Sequence, residues 1–201
     1  METRERILSE ARDLFLERGL EGFSMRGLAD RVGISATAIY RHFEDKDALL
    51  ATLVDASFSS FSAYLVRAHS GATPLERFRR AGEAYFDFAL DNPQAYRLMF
   101  LTDCRERGLV RISQEIDERA RGTFLFLTDR IRECMAEGVF PAADAMASTV
   151  WVWSAVHGLA SLWLLGQFEG KVDLEGFRRM TAVCLARLEI SMCSAGLSGL
   201  C

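Results

Sequence analysis

The sequence is poor in the residues and patterns that interrupt helices. Only three prolines occur in 201 residues, and no long stretch alternates apolar with polar side chains. Proline removes a helical hydrogen bond and alternation is typical of strands, so the scarcity of both favours helices. Half of the residues are apolar and 26% are charged, which is the balance of a folded, soluble protein. The sequence therefore predicts an all-α fold.

Residues that build metal, disulfide or catalytic sites are also sparse. The five cysteines form no CxxC pair, and the three histidines, His42, His69 and His157, stand far apart in the sequence. We find no glycine-rich phosphate loop, no Ser–His–Asp arrangement and no pair of carboxylates that can be placed in a cleft. We therefore expect reduced cysteines, no metal, no cofactor and no enzymatic activity.

An excess of positive charge is missing too. The net charge is −4, and residues 1–50 hold 8 Lys and Arg against 10 Asp and Glu. Domains that bind nucleic acid often have a strongly basic composition. Any DNA-binding function of this chain must therefore depend on where individual side chains point.

The N-terminal residues also lack the apolar stretch typical of a signal peptide, and no segment is clearly a membrane span. The first ten residues are charged rather than apolar. The most apolar segment, residues 142–165, is interrupted by Asp144, His157 and several hydroxyl side chains, so a buried helix fits better than a span. We expect a cytoplasmic protein.

What the sequence does contain is a pair of short helices around a tight turn. Ser24 and Ser35 stand where N-cap residues are favoured, and Gly33 stands where the backbone can require a positive φ. The apolar positions spaced to bury one inner face are Leu28, Ala29, Val32, Ile34 and Ile39, with Phe43 closing that face. This arrangement predicts a helix-turn-helix whose second helix, residues 36–42, enters the major groove of DNA. A packed helical hairpin with a solvated outer face would give a similar pattern.

The second helix is predicted to present its polar side chains outwards. Ala36 and Thr37 are short enough for close approach to base edges, and Arg26 would share in base choice. Tyr40 and His42 have the reach to contact phosphates, and so does the lysine at the start of the next helix, Lys46. The backbone N–H groups of the helix starts after Ser24 and Asp45 could add phosphate contacts.

At these residues the sequence resembles the TetR family of transcriptional regulators. The matching residues are Arg6-Ile7-Leu8, Ala11, Leu14-Phe15, Gly19, Phe23-Ser24-Met25-Arg26, Leu28-Ala29, Val32-Gly33-Ile34-Ser35, Ile39-Tyr40, His42-Phe43, Lys46 and Leu49-Leu50. The resemblance implies a three-helix DNA-binding domain at residues 1–50 and a larger helical ligand-binding and dimerisation domain at residues 51–201. It also implies DNA contacts by Ser24, Met25, Arg26, Ser35, Ala36, Thr37, Tyr40, His42 and Lys46. Gly27 and Asp45 depart from the residues usual in the family.

The last two predicted helices suit the pairing of two copies. Residues 143–168 are apolar on two sides, and a helix of that kind must be covered on both. One side can face the protomer's own core and the other a partner. We therefore predict a homodimer through helices 143–168 and 174–192.

The effector site is predicted among aromatic residues of the larger domain. The candidates are Phe86, Tyr96, Met99, Phe100, Phe124, Trp153 and His157. The run from Trp153 to Gly158 also resembles the Trp…His-Gly signature of one TetR subgroup. Aromatic residues at helical spacing also form plain core, and His157 could be a satisfied core histidine. Because few ionisable groups stand among the candidates, we expect a mostly apolar effector.

Two functions remain open on this basis. The first is a DNA-binding transcriptional regulator, a repressor by resemblance, that a small effector releases from a palindromic double-stranded operator. The alternative is a helical small-molecule-binding protein without DNA activity.

Overall fold

Helices make up the fold in the part of the chain that the computed structural model describes, residues 3–101 and 114–194. The α-helices are α1 (Thr3–Gly22), α2 (Met25–Val32), α3 (Ala36–Tyr40), α4 (Lys46–Val66), α5 (Pro74–Asp91), α6 (Pro93–Tyr96), α7 (Gln114–Ala136), α8 (Ala145–Leu164) and α9 (Leu174–Ser194). A 3₁₀ turn, Arg67–Ser70, follows α4, and a π-helical turn, Arg97–Leu101, follows α6. No strand occurs among the described residues, which confirms the predicted all-α class.

These residues divide into two compact units. The first contains residues 3–58, 94–101 and 114–119, and the second contains residues 59–93 and 120–194. Helices α4 and α7 each have residues in both units. Helix α4 passes residue 50 without a break. The domain boundary predicted at residue 50 stays a prediction.

The core of the first unit lies beneath α1, α2 and α3. The buried apolar residues of these helices are Ile7, Ala11, Leu14 and Phe15 on α1, Leu28, Ala29 and Val32 on α2, and Ile39 on α3. Phe43, just after α3, is also buried, as the sequence predicts. The spacing of three and four residues brings these side chains to one face of each helix, so burying that face orients α3 on α1 and α2.

The core of the second unit is formed largely by α5, α8 and α9. Phe88 on α5, Val156 on α8 and Phe177 on α9 are each buried. Gly82 permits a close approach of α5 and α9, because a Cβ atom added there would stand 2.3 Å from Leu185 Cδ2. The packing of these three helices sets the positions of the aromatic residues on their other faces.

Several helix ends differ from the prediction. The predicted recognition helix, residues 36–42, ends at Tyr40, because the N–H of His42 donates to the carbonyl of Ile39 at 2.8 Å and tightens the last turn. Helix α8 is shorter than the predicted 143–168 and begins after Asp144, whose carboxylate caps Met146 and Ala147. Helix α7 runs through Gly122 without a break.

The segment Lys46–Ser70 is long and apolar enough, by length and composition, to cross a membrane. Its apolar side chains Leu49, Leu50 and Leu53 are buried in the protein, and core helices of soluble proteins meet the same two criteria. This segment therefore gives only weak grounds for a membrane span.

Candidate nucleic-acid interface and effector site

Two side-chain caps and one glycine fix the turn between α2 and α3. The hydroxyl of Ser24 accepts from the N–H of Gly27 at 3.1 Å, and that of Ser35 accepts from Ala38 at 3.2 Å. Gly33 has φ of 75°, a conformation that costs other residues about 1 kcal/mol or more, and its N–H donates to Ala29 O at 2.9 Å. Both predicted N-caps and the predicted positive φ are confirmed.

Helix α3 turns one side chain inwards and two outwards. Ile39 is fully buried, whereas Thr37 is exposed and Tyr40 keeps 50% of its surface accessible. Ala36, at the first position of the helix, is half-buried. The hydroxyls of Thr37 and Tyr40 therefore stand on the solvent side of the helix, as a DNA-reading helix requires.

A lysine brings the start of α4 beside the start of α2. The ammonium of Lys46 donates to the carbonyl oxygen of Phe23 at 2.8 Å and lies 5.4 Å from the centre of the Phe23 ring. Asp45 caps the same helix by accepting from the N–H of Ala48 at 2.7 Å. Lys46 thus has a structural partner in addition to its predicted phosphate contact, and an ammonium has three donors to share between them.

The other predicted DNA contacts differ in accessibility. Ser24, Arg26, Ser35 and His42 are exposed, so their side chains can reach a ligand. Met25 is buried with 8% of its surface accessible, so its side chain cannot reach a base. Any contact between Met25 and DNA must therefore be made by its backbone N–H. This group lies in the first turn of α2, where N–H groups lack helical acceptors.

One arginine of the helix-turn-helix is committed to the fold instead. Arg31 on α2 forms ion pairs with Glu10 and Glu17 on α1, both at 2.6 Å. The hydrogen bond to Glu17 is the main cause that raises the pKa of Arg31, and it lowers the pKa of Glu17. The other two arginines of the helix-turn-helix, Arg26 and Arg41, are both exposed.

The predicted effector residues fall into separate clusters. In the first unit, Tyr96 is fully buried and its ring lies 5.0 Å from that of Phe100, which also contacts Phe58. Met99, which precedes Phe100 in the sequence, is half-buried. In the second unit, Phe86 is buried against Phe177 of α9, which makes it an ordinary core residue.

The remaining three candidates come together in the second unit. The ring of Trp153 lies 6.1 Å from Phe124, edge to face, and 4.9 Å from His157, with a tilt of 34°. Nδ1 of His157 lies 2.9 Å from the hydroxyl oxygen of Tyr85 on α5. Burial lowers the pKa of His157, so the imidazole is neutral at pH 7. We call Phe124, Trp153, His157 and Tyr85 the Trp–His cluster.

Tyr85 is the residue that the sequence reasoning missed. It adjoins the predicted Phe86, and neighbouring positions on a helix point about 100° apart, so only one of them can face α9. A tyrosine at helical spacing within an apolar face gives a signal for a buried hydroxyl that needs a partner. That signal identifies no partner, because His157 is 72 residues away.

Helices α8 and α9 leave an apolar groove on the surface of the second unit. The groove has a volume of about 1890 Å³ and is lined by Trp151, Ala155, Leu159, Met180, Val183, Cys184 and Ile190, among others. Trp151 and Val183 keep 46% and 54% of their surfaces accessible. Gly158 does not serve close packing within the described part of the protomer, since nothing lies within 4 Å of a Cβ built there.

Comparison with known proteins decides the family. Residues 7–53 match the model of "Bacterial regulatory proteins, tetR family", and residues 78–184 match that of the "Tetracyclin repressor-like, C-terminal domain". The chain belongs to the TetR family. It is therefore a ligand-responsive DNA-binding transcriptional regulator, the class to which the first of the two predicted functions belongs.

Individual relatives agree with this assignment. The chain is 33% identical to the transcriptional activator FasR of Mycolicibacterium smegmatis over 103 residues, which are 51% of this chain and 47% of FasR. It is 26% identical to the transcriptional repressor KstR2 of Mycobacterium tuberculosis over 74% of this chain and 78% of KstR2. The solved structure of AibR with isovaleryl coenzyme A and operator DNA has the same fold, with a TM-score of 0.73, 20% identity, and coverage of 92% of this chain and 97% of AibR.

Proposed function

We propose that this TetR-family protein is a homodimeric repressor that leaves a palindromic operator when a small, mostly apolar effector binds its second unit. The observation that carries the proposal is the outward position of Thr37 and Tyr40 on a helix held by two capped turns. Its relatives include an activator, FasR, and a repressor, KstR2. We choose repression because the alignment with KstR2 covers more of the chain than that with FasR.

DNA recognition is assigned to the exposed side of the helix-turn-helix. Thr37, Ala36 and Arg26 contact base edges, while the hydroxyl of Tyr40 and the imidazole of His42 contact phosphates. Ser24, Ser35, Lys46 and the backbone N–H of Met25 complete the phosphate contacts. Because the first 50 residues have no net positive charge, the affinity for DNA depends on these individual contacts rather than on a basic composition.

Dimerisation is assigned to the apolar groove of α8 and α9. A dimer reads a palindrome only if its two recognition helices are about 34 to 36 Å apart, one turn of B-DNA. The exposed apolar side chains of α8 and α9 would be costly to leave in water, and a second copy of the same surface covers them. Dimeric assembly is also the habit of the family.

The switch is assigned to α4. This helix begins at Lys46 in the first unit and ends at Val66 in the second, so a change in the second unit can move the helix-turn-helix. AibR, which shares the fold, binds both an acyl-coenzyme A and operator DNA. An effector that couples to the DNA-bound state by about 1 to 3 kcal/mol would weaken operator binding about 5- to 150-fold.

The same proposal makes the protein a cytoplasmic regulator without catalytic activity. Its family consists of transcription regulators rather than enzymes. Among the described residues, no group of three or more His, Cys, Asp or Glu side chains is placed to hold a metal ion.

The test is selection of a preferred site from random duplexes, followed by fluorescence anisotropy on that site. We expect a palindrome, and Thr37→Ala and Tyr40→Ala should each weaken binding about 5- to 150-fold, the value of one base or charged contact. Ser9→Ala, an exposed hydroxyl on α1, is the matched control and should bind like the wild type. Selection without any enriched sequence, or unchanged affinity in both α3 variants, would refute DNA reading by α3.

A further inference from the structure

We propose that Arg4 and Arg41 bind the sugar-phosphate backbone of the operator beside the C-terminal end of α3. This inference rests on the proposed function, because it concerns the DNA that the same helix-turn-helix reads. Neither residue is among the DNA contacts assigned above. Each protomer of the dimer contributes both arginines, so a palindromic site meets four of these guanidinium groups.

Arg41 lies on the same side of α3 as Thr37. It is the C-cap residue of the helix, with φ of −74° and ψ of −20°, so the helical path continues to it past Tyr40. Residues four positions apart on a helical path lie on one face, which places Arg41 on the outward face with Thr37. Its side chain is exposed. Arg41 therefore extends the DNA-reading face of α3 by about one turn beyond Thr37.

Arg4 reaches the same end of α3 from the first turn of α1. Its guanidinium carbon, Cζ, lies 5.1 Å from the centre of the Phe43 ring, and Phe43 is buried two residues after Arg41. Arg4 itself is exposed. The attraction between a cation and a ring face is electrostatic and uses no N–H donor, so the five donors of the guanidinium are available to a ligand. The fold thus brings Arg4 and Arg41 to one end of α3, although they are far apart in the sequence.

The two arginines differ from other arginines of this region in their partners. Arg31 forms ion pairs with two glutamates, and Arg6 donates to the carbonyl oxygen of Val32 at 2.9 Å. Within residues 3–101 and 114–194, no hydrogen bond or ion pair engages the guanidinium of Arg4 or of Arg41. A phosphate that binds these two groups therefore breaks no ion pair among the described residues.

Two carboxylates follow α3 and would repel the DNA backbone. Glu44 and Asp45 are both exposed, and they come directly after Phe43. Like charges repel, so a phosphate approaches this end of the helix only where nearby cations compensate for the two carboxylates. Arg4 and Arg41 supply that positive charge.

The position of the two arginines favours phosphate contact over base contact. In a helix-turn-helix, the N-terminal residues of the recognition helix contact base edges. Arg41 lies at the opposite end of α3, and Arg4 belongs to α1. Phosphate contacts carry no sequence information, but they contribute affinity that falls as the salt concentration rises. We therefore expect Arg4 and Arg41 to determine affinity and its salt dependence rather than sequence preference.

The experiment measures the affinity of the full chain for its selected palindrome at several salt concentrations by fluorescence anisotropy. The logarithm of the binding constant falls linearly with the logarithm of salt concentration, with a slope of about −0.9 for each phosphate contacted. Because the dimer carries each arginine twice, Arg4→Gln and Arg41→Gln should each make the slope shallower by about 1.8. The double variant should make it shallower by about 3.6.

Arg12→Gln is the matched control, because Arg12 is an exposed arginine of the same helix as Arg4 and lies about 12 Å from it along the axis. That separation exceeds the screening length of about 10 Å at 0.1 M salt, so this variant should keep the wild-type slope. Arg4→Lys and Arg41→Lys retain the charge and should also keep the slope, which separates loss of charge from a change of fold.

A scrambled duplex of the same length distinguishes phosphate contacts from base contacts. The loss of affinity in Arg4→Gln and in Arg41→Gln should be the same, within about twofold, for the selected site and for the scrambled duplex. A loss confined to the selected site would indicate that the arginine reads a base.

Several results would overturn the inference. These are an unchanged slope in the double Gln variant, an equal change of slope in Arg12→Gln, Lys variants as shallow in slope as the Gln variants, or a loss confined to the selected site. Wild-type protein that selects a palindrome, with a slope that the Gln variants keep, refutes the arginine contacts alone. Protein that selects no sequence, but whose general DNA binding becomes less salt-dependent in the Gln variants, refutes the proposed function alone. Protein that binds no DNA refutes both.

Discussion

At the scale of single residues, the roles of Lys46 and His157 depend on the groups around them. Lys46 holds the carbonyl of Phe23, so its removal would change the fold of the DNA-binding region as well as any phosphate contact. Thr37 and Tyr40 lie outwards on α3, and their replacement tests DNA binding more cleanly. His157 is the corresponding case inside the second unit, where burial lowers its pKa.

The lowered pKa of His157 predicts a loss of stability in mild acid. The unfolded chain has the ordinary histidine pKa of 6.5 and the folded chain a lower one, so the unfolded state takes up the proton first as the pH falls. The contribution to the free energy of unfolding is therefore complete above about pH 6.5 and declines below it, by at most about 1.4 kcal/mol per pH unit. Urea unfolding between pH 5.5 and 8 measures this slope.

The difference between wild type and His157→Gln isolates this group from the carboxylates that also titrate. Below about pH 6.5 the wild type should lose more stability than the variant. Identical pH profiles for the two proteins would contradict a depressed pKa at His157.

At the scale of helices, the packing of α5 on α9 depends on Gly82. A Cβ atom at that position would stand 2.3 Å from Leu185 Cδ2, and Leu185 is itself buried. Close by, Arg79 forms a two-pronged ion pair with Glu189 at 2.6 and 2.8 Å, but Arg79 is half exposed and such pairs contribute little. The glycine is therefore the more sensitive position in this interface.

Gly82→Ala is expected to destabilise the protein by about 1 kcal/mol, because the cost of overpacking exceeds the gain in helix propensity. Gly122→Ala is the matched control, since Gly122 also lies within a helix but has nothing within 4 Å of a built Cβ. The control should gain up to about 1 kcal/mol. Denaturant midpoints measure both, and equal shifts in the two variants would rule out a tight α5–α9 contact.

Helix existence could be predicted more reliably than helix ends. The capped start of α2 and the cap of α3 follow from Ser24 and Ser35, which are local signals. The early end of α3 at Tyr40 does not, because the chain turns there to bury Phe43 in a core built from other helices. Packing between distant helices also explains why Phe86 faces Phe177 while Trp153 lies beside His157. All three predicted residues, Phe86, Trp153 and His157, were expected to line one site.

At the scale of the whole molecule, the open question is how two chains pair. Val183 lines the exposed apolar groove of α8 and α9. Val66, at the end of α4, is a comparably exposed valine outside the groove. The two residues keep 54% and 59% of their surfaces accessible. They form a matched pair of positions for testing the interface.

Val183→Asp is expected to convert the dimer to a monomer, because it places a carboxylate in the interface, where it loses its hydration. Val66→Asp should remain dimeric. Sedimentation velocity measures both masses, and the monomeric variant should also lose affinity for the palindromic site. A dimer that survives Val183→Asp, or dissociates equally with Val66→Asp, would place the interface elsewhere.

The sequence by itself determined the helical class, the turn chemistry of the helix-turn-helix and the family. Each of these follows from local spacing, from caps and glycine, or from a motif that lies within about fifty consecutive residues. Only the tertiary structure decided that Met25 turns inwards, that Lys46 holds Phe23, and that Tyr85 meets His157 across 72 residues. Such contacts depend on how helices distant in sequence pack against one another, and local patterns carry little information about that packing.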